Sequence, residues 1–161
     1  MVNQPEACEL EPYADDLYQA VISSVPAWIA SRVSEIASPS CDVSSSKFQY
    51  SLAEVMQTTH NVVQKNLRAL LVIDVDAQQL NPLHVLRAST SSATQLLQRF
   101  GVAPAQRDEY ELRAMPDDVY SIGPLTWRDL GEEVHEAGIS WGAWKAAMIL
   151  TRRRADGSIP T

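Results

Sequence analysis

Gly138-Ile-Ser-Trp-Gly142 fits the spacing G-x-S-x-G. In hydrolases that use it, the serine sits on a tight strand-to-helix turn with its hydroxyl exposed for nucleophilic attack. The same chemistry requires an acid and then a histidine further along the chain, and a parallel sheet beneath the turn. Nineteen residues follow Gly142 and none is histidine. The ten residues before Gly138, RDLGEEVHEA, are charged and have no strand character. The pattern therefore predicts Gly138 as a helix stop and Ser140 as the N-cap of the next helix, its hydroxyl accepting orphan backbone N–H groups. No catalytic residue is expected.

Metal chemistry is the next candidate. Glu132-Glu-Val-His135 contains Glu-x-x-His, which sets a carboxylate and an imidazole on one helical face, as in di-iron bundles. Those centres need the motif twice, yet Gln57 precedes His60 by three and Asn81 precedes His84 by three. A lone zinc held by His135, Glu132 or Glu136 and a distant ligand is the remaining option, set against a solvated acidic face. The stretch LLVIDVDA, 70–77, ends in Asp74-x-Asp76, a pairing that holds Mg²⁺ at strand ends in some phosphatases. A strand needs partners, and no other stretch supplies one. Residues 70–77 are thus expected to form the polar end of a long helix, with an isolated strand as the alternative. No metal and no cofactor are expected. Walker and Gly-rich nucleotide motifs are absent.

The last third is the most distinctive. PDDVYSIGPLTW, 116–127, sets acids beside Tyr120 and Trp127 in a Pro/Gly-framed loop. Asp117, Asp118, Tyr120, His135 and Glu136 form the candidate ligand site. In the final helix Ile139, Ala143, Ala146, Ala147 and Leu150 share one face, expected to meet the protein's own bundle. Trp141, Trp144 and Met148 form a second stripe, the candidate interface with a second copy. A helix apolar over so much of its girth is either central or shared with a partner.

Pro116-Asp-Asp-Val-Tyr120, His135-Glu136, Gly138 and Trp141-Gly142, with Asn81-Pro82 upstream, resemble a family of small helical proteins from high-GC Gram-positive bacteria. The likeness covers about the C-terminal half. It implies no activity, substrate or cofactor.

The elements that would position these residues read as helices almost throughout. Leu17, Val21, Val25, Trp28, Arg32 and Ile36 follow helical spacing, though Pro26 should break that run, with Ser24 capping a second helix. SPSCDVSSS, 38–46, reads as a loop. Ser51 and Glu54 match a capping box at the head of the expected longest helix, 51–79, whose face is Leu52, Val55, Met56, Thr59, Val63, Leu67, Leu70 and Leu71. Asn81-Pro82 opens a helix that Gly101 should close. A short helix over 105–115, a start at Thr126–Asp129 and a last helix over 140–154 complete the chain.

One all-α domain results, a bundle of five to seven helices over 13–154, with a polar lead-in at 1–12 and a tail at 155–161. The 161 residues carry 13 Lys and Arg against 20 Asp and Glu, a net charge of −7. That balance disfavours nucleic acid, whose binding depends on displacing counterions with basic groups. Arg152-Arg-Arg154, the one basic run, complements a helix C-terminus. Cys8 and Cys41 make no metal knuckle, and a disulfide between them stays open. No signal peptide or membrane span is legible, so the expected setting is cytoplasmic. The expected function is a non-enzymatic interaction or regulatory module, a homodimer with a possible further protein partner. The alternative is a small-molecule or metal-binding protein with a pocket near Asp117, Tyr120 and His135.

Overall fold

The protein is described by a computed structural model covering residues 7–72, 83–104, 106–114, 116, 118–124, 126–155 and 157. All regular structure in this set is helical. The elements are α1 (Ala7–Ala37), α2 (Ser46–Val72), α3 (Leu83–Ala88), α4 (Ser91–Arg99), α5 (Glu109–Ala114), a 3-10 turn (Trp127–Leu130) and α6 (Glu132–Ala155). Four helices of nine residues or more, α1, α2, α4 and α6, carry the packing among the described residues, fewer than the five to seven expected. The all-α class stands. α1 is central: it packs on α2 and α6, and α2 also meets α4.

α1 begins at Ala7, inside the polar stretch set apart as a lead-in, and runs unbroken through Pro12 and Pro26. The expected break at Pro26 does not occur, and Ser24 caps nothing: its Oγ donates to the Ala20 carbonyl at 2.8 Å within the same helix. An interior proline costs about 3 kcal/mol. Leu17, Val21, Val25, Ile29 and Val33 are fully buried along this helix. Each such side chain contributes about 1.5–3 kcal/mol, so burial along the helix outweighs the break.

α2 starts earlier than its capping-box motif suggested. Ser45 is the cap, its Oγ accepting from the Phe48 N–H at 3.2 Å, and Ser51 lies buried in the helix interior. Phe48 is 0% exposed and packs edge-on against Phe100 at 5.2 Å, which draws the added turn into the helix. The expected apolar face is the buried one: Leu52, Val55, Thr59, Val63, Leu67 and Leu71. Leu70–Val72 are helical, so the strand alternative fails there, while Asp74 and Asp76 lie outside the described residues, as do Asn81 and Pro82. α1, not α2, is the longest described helix.

The single helix expected up to Phe100 is two, α3 and α4. Ser89 Oγ donates to the Leu86 carbonyl at 2.6 Å and Thr90 Oγ1 to that of Arg87 at 2.8 Å, bonds that compete with the backbone ladder. Gly101 ends α4 as expected, with φ 72°. Val102 N–H reaches the Leu97 carbonyl at 3.0 Å and Gly101 N–H that of Gln98 at 3.1 Å, the paired bonds of a Schellman cap. The helix expected over 105–115 is confined to α5, Glu109–Ala114.

Gly138 does not stop a helix and Ser140 does not start one, because α6 is continuous from Glu132. The start at Thr126 is real, a capping box with Asp129, but it opens the 3-10 turn that precedes α6. Gly138 is small because Trp127 lies against it: a Cβ at Gly138 would sit 2.5 Å from Trp127 Cδ1. Cys41 is a free, half-buried thiol, its Sγ 3.5 Å from the Phe100 carbonyl, and the Cys8 side chain is outside the described set.

Candidate functional site

Ser140 is exposed within α6, with helix rather than strand before it, so the geometry of a nucleophile elbow is missing. Ser140→Ala should change stability by less than about 0.5 kcal/mol, because it removes no cap and alanine favours the helix slightly. Chemical denaturation measures this. A fluorophosphonate should leave the residue unlabelled.

Among the described residues, the expected ligand residues fall in separate places: Asp118 and Tyr120 in the 118–124 loop, His135 beside Arg128 and Glu136 in a groove against α1. Asp117 lies outside the described residues. Asp118 is 5% exposed, and both its carboxylate oxygens are engaged by its own loop. Oδ1 accepts from Ile122 N–H at 2.9 Å and Oδ2 from Gly123 N–H at 2.6 Å. Three arginines fasten the same loop by its carbonyls: Arg107 to Asp118 at 2.9 Å, Arg32 to Ser121 at 2.7 Å and Arg87 to Pro124 at 3.1 Å. Ser121 takes a positive φ of 54° at the turn, and a Cβ on Gly123 would meet Arg87 Cγ at 2.8 Å. This loop is a clamp between α1 and α3.

Tyr120 is 2% exposed and donates its hydroxyl to the Val102 carbonyl at 2.6 Å, joining the loop to the end of α4. Burial pushes its phenol above the usual range. The unfolded chain ionises this tyrosine near pH 10 while the folded chain holds the proton longer. Its stabilising contribution is therefore present below about pH 10 and lost as pH rises through the folded value. In an absorbance titration, Tyr120 should ionise late, together with loss of helix. Tyr120→Phe should remove that late phase.

His135 lies in the first turns of α6, half-exposed, with Nε2 2.8 Å from Arg128 Nη2. A guanidinium only donates, so Nε2 accepts, and that lone pair is engaged. Arg128 also pairs with Glu132 at 3.2 Å. Glu136 is exposed and lines a groove of about 270 Å³ with Glu133, Ala137, Ser140 and, from α1, Tyr13 and Asp16. Among the described residues no three His, Cys, Asp or Glu side chains are grouped as a metal site requires. Larger clefts lie elsewhere: one of about 710 Å³ between α2 and α4, with Glu54, Thr58, Ser92 and Arg99 on its walls, and one of about 350 Å³ beside Pro26 and His60. Neither takes in Asp118, Tyr120 or His135.

The two stripes of α6 are exchanged relative to expectation. Trp141 is 6% exposed and Met148 1%, both inside the protein's own core. Trp141 Nε1 donates to the Leu71 carbonyl of α2 at 3.0 Å. Trp144 stacks on Tyr13 of α1 at 5.4 Å, its buried Nε1 without an acceptor among the described residues. The interface expected at Trp141, Trp144 and Met148 is thus occupied by α1 and α2. The face assigned to the core, Ile139, Ala143, Ala146, Ala147 and Leu150, is the exposed one, with Ile139 58% and Leu150 42% accessible. No family profile, curated protein sequence or solved structure matches the chain.

Proposed function

We propose that this protein is a non-enzymatic helical interaction module that works as a homodimer. The observation that supports it is the exposed apolar row of α6, from Ile139 to Leu150. Single exposed aliphatic residues are ordinary on protein surfaces, whereas a continuous row along one helix is an association feature. Closed two-fold dimers are the commonest outcome of such self-association. The alternative pocket reading has less behind it, since the Asp118 carboxylate is engaged by its own loop and the Tyr120 hydroxyl by the Val102 carbonyl. A cytoplasmic setting accompanies the proposal. No described helix is long and apolar enough to cross a membrane. Sedimentation velocity from low to high micromolar concentration tests the reading. The 17.8 kDa chain should move reversibly towards twice that mass. A chain that stays monomeric throughout overturns it.

A further inference from the structure

The exposed row of α6 has an internal symmetry. Glu136, Ile139, Ala143, Ala146, Leu150 and Arg153 are spaced 3, 4, 3, 4 and 3 residues apart, so the spacing reads the same from either end. This is the heptad seam of a two-helix coiled coil. The chemistry along it is complementary about its centre. An acid stands at one end and an arginine at the other, a large aliphatic residue lies inside each, and two alanines lie in the middle. Glu136, Ile139, Ala143, Ala146 and Leu150 lie on the side of α6 opposite buried Val134, Trp141 and Met148, and Arg153 is exposed in line with them.

We propose that two copies of this chain pair through α6 in an antiparallel register that sets Ile139 against Leu150 of the second copy, Ala143 against Ala146, and Glu136 against Arg153. The inference rests on the homodimer reading and specifies its surface, direction and register. A two-fold axis between Ala143 and Ala146 makes each of these contacts twice. The central alanines, flanked by Gly142 and Ala147, let the helix axes approach to about 8 Å, the close end of helix packing. A Cβ at Gly142 would meet nothing within 4 Å in the free chain, so this flank is open. Ile139 and Leu150 close the seam about 16 Å apart, at a rise of 1.5 Å per residue.

Charge decides the direction. Glu132, Glu133 and Glu136 gather at the N-terminal end of α6, and Arg153 and Arg154 are exposed at its C-terminal end. Parallel pairing would set acid on acid, arginine on arginine and align the two helix dipoles. Antiparallel pairing opposes the dipoles and sets each acidic end on a basic one. One helix pair is a small contact, at the low end of specific interfaces, so a reversible micromolar equilibrium is expected.

Sedimentation equilibrium of full-length variants tests the register, with far-UV circular dichroism confirming the fold. The substituted positions are exposed in the monomer. Glu136→Arg alone and Arg153→Glu alone should each raise the dimer Kd by about tenfold, because each turns two attractive end contacts repulsive. Glu136→Arg with Arg153→Glu in one chain should return Kd to within about threefold of wild type. Ala143→Glu should abolish association with helix content retained. A monomeric wild type overturns both the dimer and this register. A dimeric wild type whose Kd ignores Ala143→Glu, or whose double charge exchange fails to recover, overturns the register alone and leaves the dimer standing on another surface.

Discussion

Trp141→Ala is expected to lower stability by about 3–5 kcal/mol, enough to unfold a domain of ordinary stability, rather than to release a folded monomer. The ring is 6% exposed at the contact of α6 with α2. Truncation removes a large buried surface and leaves a cavity that the three long helices cannot close without moving. It also deprives the Leu71 carbonyl of the indole N–H that reaches it at 3.0 Å. Lys145 loses the ring over which its Nζ sits at 4.9 Å, where burial already holds the ammonium below its usual pKa. Trp141→Phe separates these effects. It keeps most of the volume and loses the hydrogen bond, so a cost of about 1–2 kcal/mol is expected. Urea denaturation followed by circular dichroism gives both values. An alanine variant as stable as wild type would show that α6 is not anchored here.

Asp118→Ala is expected to cost about 2–5 kcal/mol. Its carboxylate satisfies the N–H groups of Ile122 and Gly123, and both residues are buried. A buried donor left without a partner costs about 1–3 kcal/mol, and here there are two. Water cannot easily replace the carboxylate, because Gly123 packs against Arg87 and Ile122 is 1% exposed. Asp118→Asn retains one acceptor oxygen and turns an amide donor towards the other N–H, so about half the loss is expected. Amide hydrogen exchange gives the local signature: protection of Ile122 and Gly123 should fall in both variants, while Val21 and Val25 in α1 keep theirs in Asp118→Asn. Unchanged protection at Ile122 would remove the loop clamp from the account.

The sequence by itself determined the helical class, the buried face of α2 and that of α1 as far as Trp28, the cap at Gly101 and the start at Thr126, but not the rest of α1, where Ile29, Val33 and Ala37 are buried in place of the expected Arg32 and Ile36. These features rest on interactions within one or two turns, or on a 3.6-residue apolar period that only a helix can bury on one side. Local punctuation misled wherever a distant contact outweighed it. Pro26, Ser51, Gly138 and Ser140 carry break and cap signals worth about 1–3 kcal/mol each, and long-range burial exceeds that. The glycine at 138 has its reason in Trp127, a contact no spacing rule contains. Asp118 looked like a ligand because a carboxylate beside an aromatic suits binding, yet its partners are the backbone of its own loop. The faces of α6 could not be told apart from the sequence, since the helix is apolar on both. Only the packing of Trp141 on Leu71 and of Trp144 on Tyr13 turned the aromatic side inward. That orientation left the symmetric row from Glu136 to Arg153 outside, because the aromatic side had taken the space against α1 and α2.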